Sequence, residues 1–239
     1  RALLALAEKR GLPEPPGRIE AYDISNTGAS DIVAAMTVFA DGKPKKSAYR
    51  YFLLRDLDGP DDYASMEELL TRRFTHGQRE DLDDMDAFRL FPDVIFMDGG
   101  KGQVNICEKV LAQLNISIPV CGMVKDDHHR TRGLYFQNVE IPIDTHGQGF
   151  RLITRIQDET HRFAIEYHRQ IRGKAQVHSI LDDIPTVGPA RRKALMRRYE
   201  SLDAIRQATV EELKELPEIN EASAEAIVSF FASQAKEGK

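Results

Sequence analysis

The chain has 239 residues, of which 41% are hydrophobic and 30% charged, and it carries a formal net charge of −5. Such a composition supports a packed core beneath a well-solvated surface, in one large domain or a medium one with a small companion. It excludes a helical membrane span, because no stretch approaches the ~18–20 apolar residues required, and it leaves any affinity for nucleic acid to local charge.

The opening "RALLALAEKRG" starts on Arg1 and reads as the tail of a helix already under way. Gly11 and "PEPPG" supply a stop and a stiff linker. The chain is therefore expected to be a fragment of a longer protein, with this tail and linker over 1–16. There is no signal-peptide layout. Cys107 and Cys121 sit in apolar surroundings without metal-ligand spacing. They are expected as buried free thiols in a reducing compartment, the cytoplasm.

"RIEAYDIS" (Arg18–Ser25) has the β-branched and aromatic content of a strand. "DIVAAMTVFADGKPKKSAYRYFLL" (Asp31–Leu54) predicts two strands around an Asp-Gly turn, so the first three strands form an antiparallel meander. "DDYASMEELLTRRF" (Asp61–Phe74) predicts a helix capped by Asp61 or Asp62, with Met66, Leu69, Leu70 and Phe74 on one face. "QREDLDDMDAFR" (Gln78–Arg89) is acidic and unpatterned and is expected as a surface loop. "DVIFMDGG" and "IPVCGMVK" read as buried strands on either side of the helix "GQVNICEKVLAQL". "GLYFQNVEIPI" reads as further extended structure, and "QDETHRFAIEYHRQIRGKA" (Gln157–Ala175) as a helix. This order makes an α/β sandwich around a mixed sheet. Beyond Lys174 the texture changes. "IPTVG" and "LPEIN" sit in two similar helix-turn-helix halves, which predicts a duplicated unit from about Ser179.

The chemistry centres on "FPDVIFMDGGKGQ" (Phe91–Gln103). A phosphate-binding Walker loop needs Gly-Lys followed by Ser or Thr, but Lys101 is followed by Gly102 and Gln103. The dinucleotide fingerprint fails on glycine spacing. What remains is Asp98 at the end of a buried strand, read either as a site carboxylate or as the cap of the next helix. Asp23 closes the first strand between Tyr22 and Ile24, an unfavourable place for a carboxylate without a charge partner. If the first and fourth strands are neighbours, Asp23 and Asp98 converge into a site for a hard divalent cation. His161 shares a helix face with Asp158 and His168, and Asp62 reads most simply as an N-cap.

At this point "AYDISNTG", "DDYASMEELLTRRF", "VIFMDGGKGQ" and "RIQDETHRFAIEYHR" resemble the signature blocks of UvrC, the nuclease subunit of bacterial nucleotide excision repair. "IPTVGPARRKAL" and "LPEINEASAEAI" resemble its tandem helix-hairpin-helix end. The resemblance covers the chain from about Arg18. It implies an RNase H-like mixed sheet flanked by helices over 17–172, a linker over 173–178 and a small all-α tandem helix-hairpin-helix domain over 179–239. It further implies an endonuclease that makes the incision 5′ to a lesion in damaged double-stranded DNA with Mg²⁺ or Mn²⁺. The family's essential residues fall on Asp23, Asp62, Asp98 and His161. Asp23 and Asp98 would hold the metal directly, with Asp62 behind them or structural. His161 would ligate a second metal, orient the nucleophile or shuttle a proton. The family's segment for contacting UvrB and its 3′-incision nuclease are expected to be absent from this fragment. Nicking by the fragment alone is accordingly expected to be weak and poorly specific.

Each hairpin turn can aim backbone N–H groups at a phosphate, and Gly188 permits close approach. "ARRKALMRR" adds Arg191, Arg192, Lys193, Arg197 and Arg198 without an intervening acid, contacts that position DNA without reading its sequence. In the second hairpin Asn220 stands where glycine is usual, among Glu218, Glu221 and Glu225. The first hairpin is thus expected to grip DNA and the second to be weak or structural. Lys101 and Lys125 read either as phosphate contacts or as ordinary surface lysines, and Arg162, Arg169, Arg172 and Lys174 as an extended basic footprint. The rival to a nuclease is a non-catalytic DNA-binding scaffold. Asp23, Asp98 and His161 argue against it, since a degenerate site would be expected to lose such costly polar groups.

Overall fold

The structure, a computed structural model, describes residues 15–26, 32–54, 62–128, 131–142 and 144–237. The expected N-terminal helix tail lies outside the described residues. Eight strands form one mixed sheet: β1 (Arg18–Asn26), β2 (Ile32–Ala40), β3 (Lys43–Pro44), β4 (Arg50–Leu54), β5 (Val94–Met97), β6 (Val120–Lys125), β7 (Thr131–Phe136) and β8 (Val139–Pro142). Their order is β3-β2-β1-β5-β6-β7-β8, with β4 also pairing β2. The β1–β5 and β5–β6 pairs are parallel and the rest antiparallel. Strand β1 therefore lies beside the buried strand that ends at Asp98.

The meander is more broken than its sequence predicts. Asp41 and Gly42 both take positive φ (49° and 77°), as a tight hairpin requires. Pro44, opposite Phe39, has no N–H to give the ladder, and a 3-10 turn (Lys46–Ala48) separates β3 from β4. A second hairpin, with Gln137 and Asn138 at φ 48° and 64°, joins β7 to β8.

Alternation along the strands divides two cores. Tyr22, Met36, Ile95 and Met97 face helices α1 (Asp62–Gly77) and α2 (Lys101–Gln113), meeting Leu69, Leu70, Phe74 and Cys107. Ile19, Ala21, Val94, Phe96 and Cys121 face helix α3 (Gln148–Asp182), meeting Leu152, Ile153 and Ile156. The two cysteines are free and buried on opposite faces of the sheet.

Between the sheet and α1 lies a buried ion pair. Arg73 donates to Glu20 through Nε (3.1 Å) and Nη2 (2.8 Å), and neither side chain touches solvent. Tyr22 donates its hydroxyl to the same carboxylate at 2.6 Å. The remaining Arg73 donors reach the carbonyls of Phe88 (2.8 Å) and Leu90 (2.9 Å). The stretch expected as a surface loop is therefore anchored through its Phe88 carbonyl, and the chain just beyond it through Leu90, to a buried guanidinium that also lies over the rings of Phe74, Phe88 and Phe91.

Helix α3 has 35 residues and exceeds its predicted span at both ends. It runs on through 173–178, where the sequence predicts a linker. Gly173 costs a helix interior only about 1 kcal/mol relative to alanine, and no proline interrupts the run. The chain divides into two compact units, Arg1–His168 and Arg169–Lys239, and the division falls inside this helix. The second unit adds α4 (Pro189–Arg198), α5 (Leu202–Gln207), α6 (Val210–Lys214) and α7 (Glu221–Glu237) around Leu181, Ile184, Leu195, Leu213, Ile219 and Ile227. No described helix is long and apolar enough to cross a membrane.

Removing one partner of a buried pair strands the other, at a cost of about 3–5 kcal/mol. Urea unfolding of Glu20→Ala is expected to show that loss. Lys109→Ala, which removes an exposed pair to Glu67 (2.9 Å), should lose about 1 kcal/mol or less. Equally small losses would show that the buried pair does not fix β1 to α1.

Candidate active site and nucleic-acid interface

Tyr22 pairs with Met97 in the parallel β1–β5 register, and the Asp98 N–H donates to the Tyr22 carbonyl at 3.2 Å. Asp23 follows Ala21 by two residues and Asp98 follows Phe96 by two. Pleat parity therefore sends both carboxylates to the face covered by α3. There His161 Nδ1 lies 3.3 Å from Asp23 Oδ2. Lys125 Nζ lies 2.8 Å from Asp98 Oδ1, and Gln157 Nε2 donates to the same oxygen at 3.2 Å. Asp98, Lys125, Thr131, Phe150, Gln157 and His161 line a cavity of about 580 Å³. Asp158 also lines it, and His168 does not.

Asp23 is 8% exposed. Burial, and then the charge of Asp98, push its carboxyl up to about 6, against the opposing pull of His161 and Lys125. Asp98 does not cap the next helix. Gly100 holds the N-cap position of α2 without a side-chain cap bond, and the contacted oxygen of Asp98 turns to Lys125 and Gln157 instead. The tight backbone approach at "MDGG" is permitted by Gly122 on β6. A Cβ there would stand 2.4 Å from the Gly99 carbonyl oxygen. Lys101 is the exposed first residue of α2 and does not line the cavity. Asp62 is the first residue of α1, and its side chain lies outside the described residues.

Gln157 and Thr131 are absent from the sequence-predicted site. The available signal is spacing, since Gln157 precedes His161 by one helical turn. Among the described residues no three His, Cys, Asp or Glu side chains gather at metal-ligand spacing. The pair Asp23 and Asp98 nonetheless fits a hard cation. The charge of Asp98 adds to the burial that holds the Asp23 carboxyl up, and a divalent ion offsets both.

In the second unit the two turns differ at one telling position. Gly188 is the N-cap of α4 and makes no side-chain cap bond, while its φ of −89° suits any residue and a Cβ would meet nothing within 4 Å. Nothing in the fold demands glycine there, so its openness faces outward. Asn220, its counterpart, accepts the Ser223 N–H through Oδ1 at 2.9 Å and fills the role that an anion would take at the first turn. The basic run is partly spent internally. Arg191 donates to the Thr186 and Glu218 carbonyls, at 2.5 and 2.9 Å, and so ties the two turns together. Arg192 pairs with Asp182, and Arg197 with Glu218 at 3.4 Å. Lys193 is exposed and makes no ion pair with the described residues. In the first unit Arg162 is held by Glu159 and Glu166, each at 2.8 Å.

The chain matches the family model of the UvrC RNAse H endonuclease domain over residues 7–165 and that of the helix-hairpin-helix motif over residues 182–238. It is similar to the UvrABC system protein C of Lachnospira eligens, 60% identical over 216 residues, which cover 90% of this chain and 35% of that protein. It is also similar to the UvrABC system protein C of Clostridium acetobutylicum, 52% identical over 237 residues, covering 96% of this chain and 38% of that protein. The chain thus spans little more than a third of the length of these relatives. Among solved structures, human ENDOV aligns with a TM-score of 0.38 at 10% identity, over 66% of this chain and 86% of that one, a likeness too distant to bear on the chemistry.

A carboxyl held at about 6 against an ordinary 3.8 binds its proton more tightly folded than unfolded. Its burial therefore destabilises the metal-free protein increasingly as pH rises from about 4 to 6, and fully above that range. In metal-free buffer Asp23→Asn is expected to raise the melting temperature at pH 7, with the gain vanishing toward pH 4. A gain that does not change with pH would contradict this origin of the strain.

Proposed function

The chain belongs to the family of UvrC RNase H endonuclease domains, and from that premise we propose that it is the divalent-metal-dependent DNA endonuclease module that makes the 5′ incision in bacterial nucleotide excision repair. The observation that carries this reading is the pair of carboxylates at the ends of adjacent parallel strands, with His161 against one of them. Asp23 and Asp98 would hold Mg²⁺ or Mn²⁺, which supplies charge neutralisation at the scissile phosphate and lowers the pKa of water.

The chain's own residues do the rest. A carboxylate only accepts, so His161 donates its Nδ1–H to Asp23, an arrangement that puts the lone pair of the basic ring form on Nε2. Nε2 then accepts the proton lost by the attacking water. The same contact is compatible with His161 ligating a second metal through Nε2, and proton transfer is the role we propose. Lys125, beside Asp98 and on the cavity wall, offers its ammonium to the phosphate and balances the carboxylate in its absence. Lys101 lies off the cavity and contacts DNA only outside the crevice. Asp62 is retained as a catalytic candidate on the family resemblance.

The second unit serves as a sequence-independent DNA handle. The open N–H groups at Gly188 and the exposed Lys193 make the phosphate contacts. Arg191, Arg192 and Arg197 brace the turns that present them. The substrate is damaged double-stranded DNA, the partner in the whole protein is UvrB, and the place is the cytoplasm. A scaffold without catalysis leaves the strained Asp23 unexplained.

Nicking of supercoiled plasmid with Mg²⁺ or Mn²⁺ tests the reading. Asp98→Asn should abolish nicking and leave DNA binding intact, and His161→Ala should slow it by roughly 10²–10⁴-fold. Lys193→Ala should weaken binding to all sequences alike and lower the salt slope by about 1. Equal loss of cutting and binding in Asp98→Asn would overturn the catalytic role.

A further inference from the structure

Asp98 and Asp23 share a pattern: in each, one carboxylate oxygen is engaged by protein donors. For Asp23 it is Oδ2, facing His161, and for Asp98 it is Oδ1, which receives both Lys125 and Gln157. The other oxygens, Asp23 Oδ1 and Asp98 Oδ2, have no hydrogen-bond partner among the described residues. A ligand carboxylate needs this kind of division, with one oxygen pinned so that the other points steadily at the ion.

On Asp98, Gln157 is the uncharged donor beside Lys125, and its orientation is determined by chemistry. The Asp98 carboxylate only accepts, so the Gln157 amide nitrogen must face it. That leaves the amide oxygen for the hydroxyl of Thr131, which donates to it in a short contact. Thr131 stands at the start of β7, opposite Lys125, where a register shift between Val124 and Lys125 interrupts the β6–β7 ladder. The irregularity thus sets two Asp98 partners. Lys125 reaches the carboxylate directly, and Thr131 reaches it through Gln157.

We infer that Gln157, locked by Thr131, is a positioning residue that orients Asp98 so that its Oδ2 is presented to the divalent cation. The inference rests on the nuclease reading of the crevice. Lys125 alone cannot do this work. An ammonium on a flexible stem fixes charge rather than direction, and under the proposed function it is shared with the substrate phosphate. A planar amide held at both ends fixes a direction. Removing such an outer partner of a metal ligand typically lowers metal affinity by about 10–100-fold.

The test is Mn²⁺ binding to the DNA-free chain, read by electron paramagnetic resonance from the loss of the free-ion signal, in four variants. Gln157→Leu keeps the bulk and removes both hydrogen bonds, and it is expected to weaken Mn²⁺ about 10–100-fold. Thr131→Val removes only the anchor and is expected to weaken Mn²⁺ less. Combined with Gln157→Leu it should add nothing further, the mark of two residues acting through one path. Asp98→Asn serves as the reference for losing the ligand itself. Melting temperatures without metal, and DNA binding without metal, should stay close to wild type in Gln157→Leu. Unchanged Mn²⁺ affinity in Gln157→Leu with loss in Asp98→Asn would overturn the positioning role and leave the nuclease reading standing. Unchanged affinity in both would overturn the nuclease reading. A fall in affinity matched by a fall in metal-free melting temperature, or additive effects of Thr131→Val and Gln157→Leu, would reduce Gln157 to a structural tie.

Discussion

The parallel register of β1 against β5 is the constraint on which the crevice depends. One residue of slip would send Asp23 to the α1 and α2 side of the sheet, away from Asp98 and His161. Apolar alternation contributes to the register, since Ile19 and Ala21 must face α3 while Tyr22 faces the other core. The buried Glu20–Arg73 pair contributes more sharply. A charge without access to water tolerates no misplacement, and Arg73 ties Glu20 to α1 and to the carbonyls of Phe88 and Leu90. An ion pair on one face of β1 thereby helps fix where a carboxylate stands on the other.

The crevice itself is held in electrostatic tension. Two carboxylates converge in partly buried surroundings, which costs free energy in proportion to how fully both are ionised. The protein offsets part of that cost with Lys125 on Asp98 and with His161 on Asp23, yet burial first and the charge of Asp98 second still hold the Asp23 carboxyl above its ordinary value. A site in this condition is ready for a cation. His161 is largely exposed and meets Asp23 through Nδ1, so its other nitrogen stays out of that contact.

Most of the fold is legible in the sequence because its cues are local. Continuous apolar runs mark β5 and β6, and Asp41-Gly42 marks a hairpin. Gln137-Asn138 turns just as tightly but without glycine, so the β7–β8 hairpin reads only as extended chain. The long α3 is hidden by Gly173, which looks like a break and is not one. Of the candidate site, Asp98 and Asp23 are legible as carboxylates ending apolar strands. Gln157 is not, because its meaning comes from Thr131 and Asp98, far away in sequence. The hairpin arginines mislead for the same reason. "ARRKALMRR" contains no acid, yet Asp182 and Glu218 reach Arg192 and Arg197 from outside it.

If Asp23 and Asp98 together hold a divalent metal ion, as proposed, a crystal grown with Mn²⁺ reveals it most directly. Anomalous scattering is predicted to place manganese in the crevice between the two carboxylates, ligated by oxygens of both, with His161 still against Asp23. A crevice without an anomalous peak, at a Mn²⁺ concentration that supports nicking in solution, would contradict the account, and so would manganese bound elsewhere with neither carboxylate among its ligands.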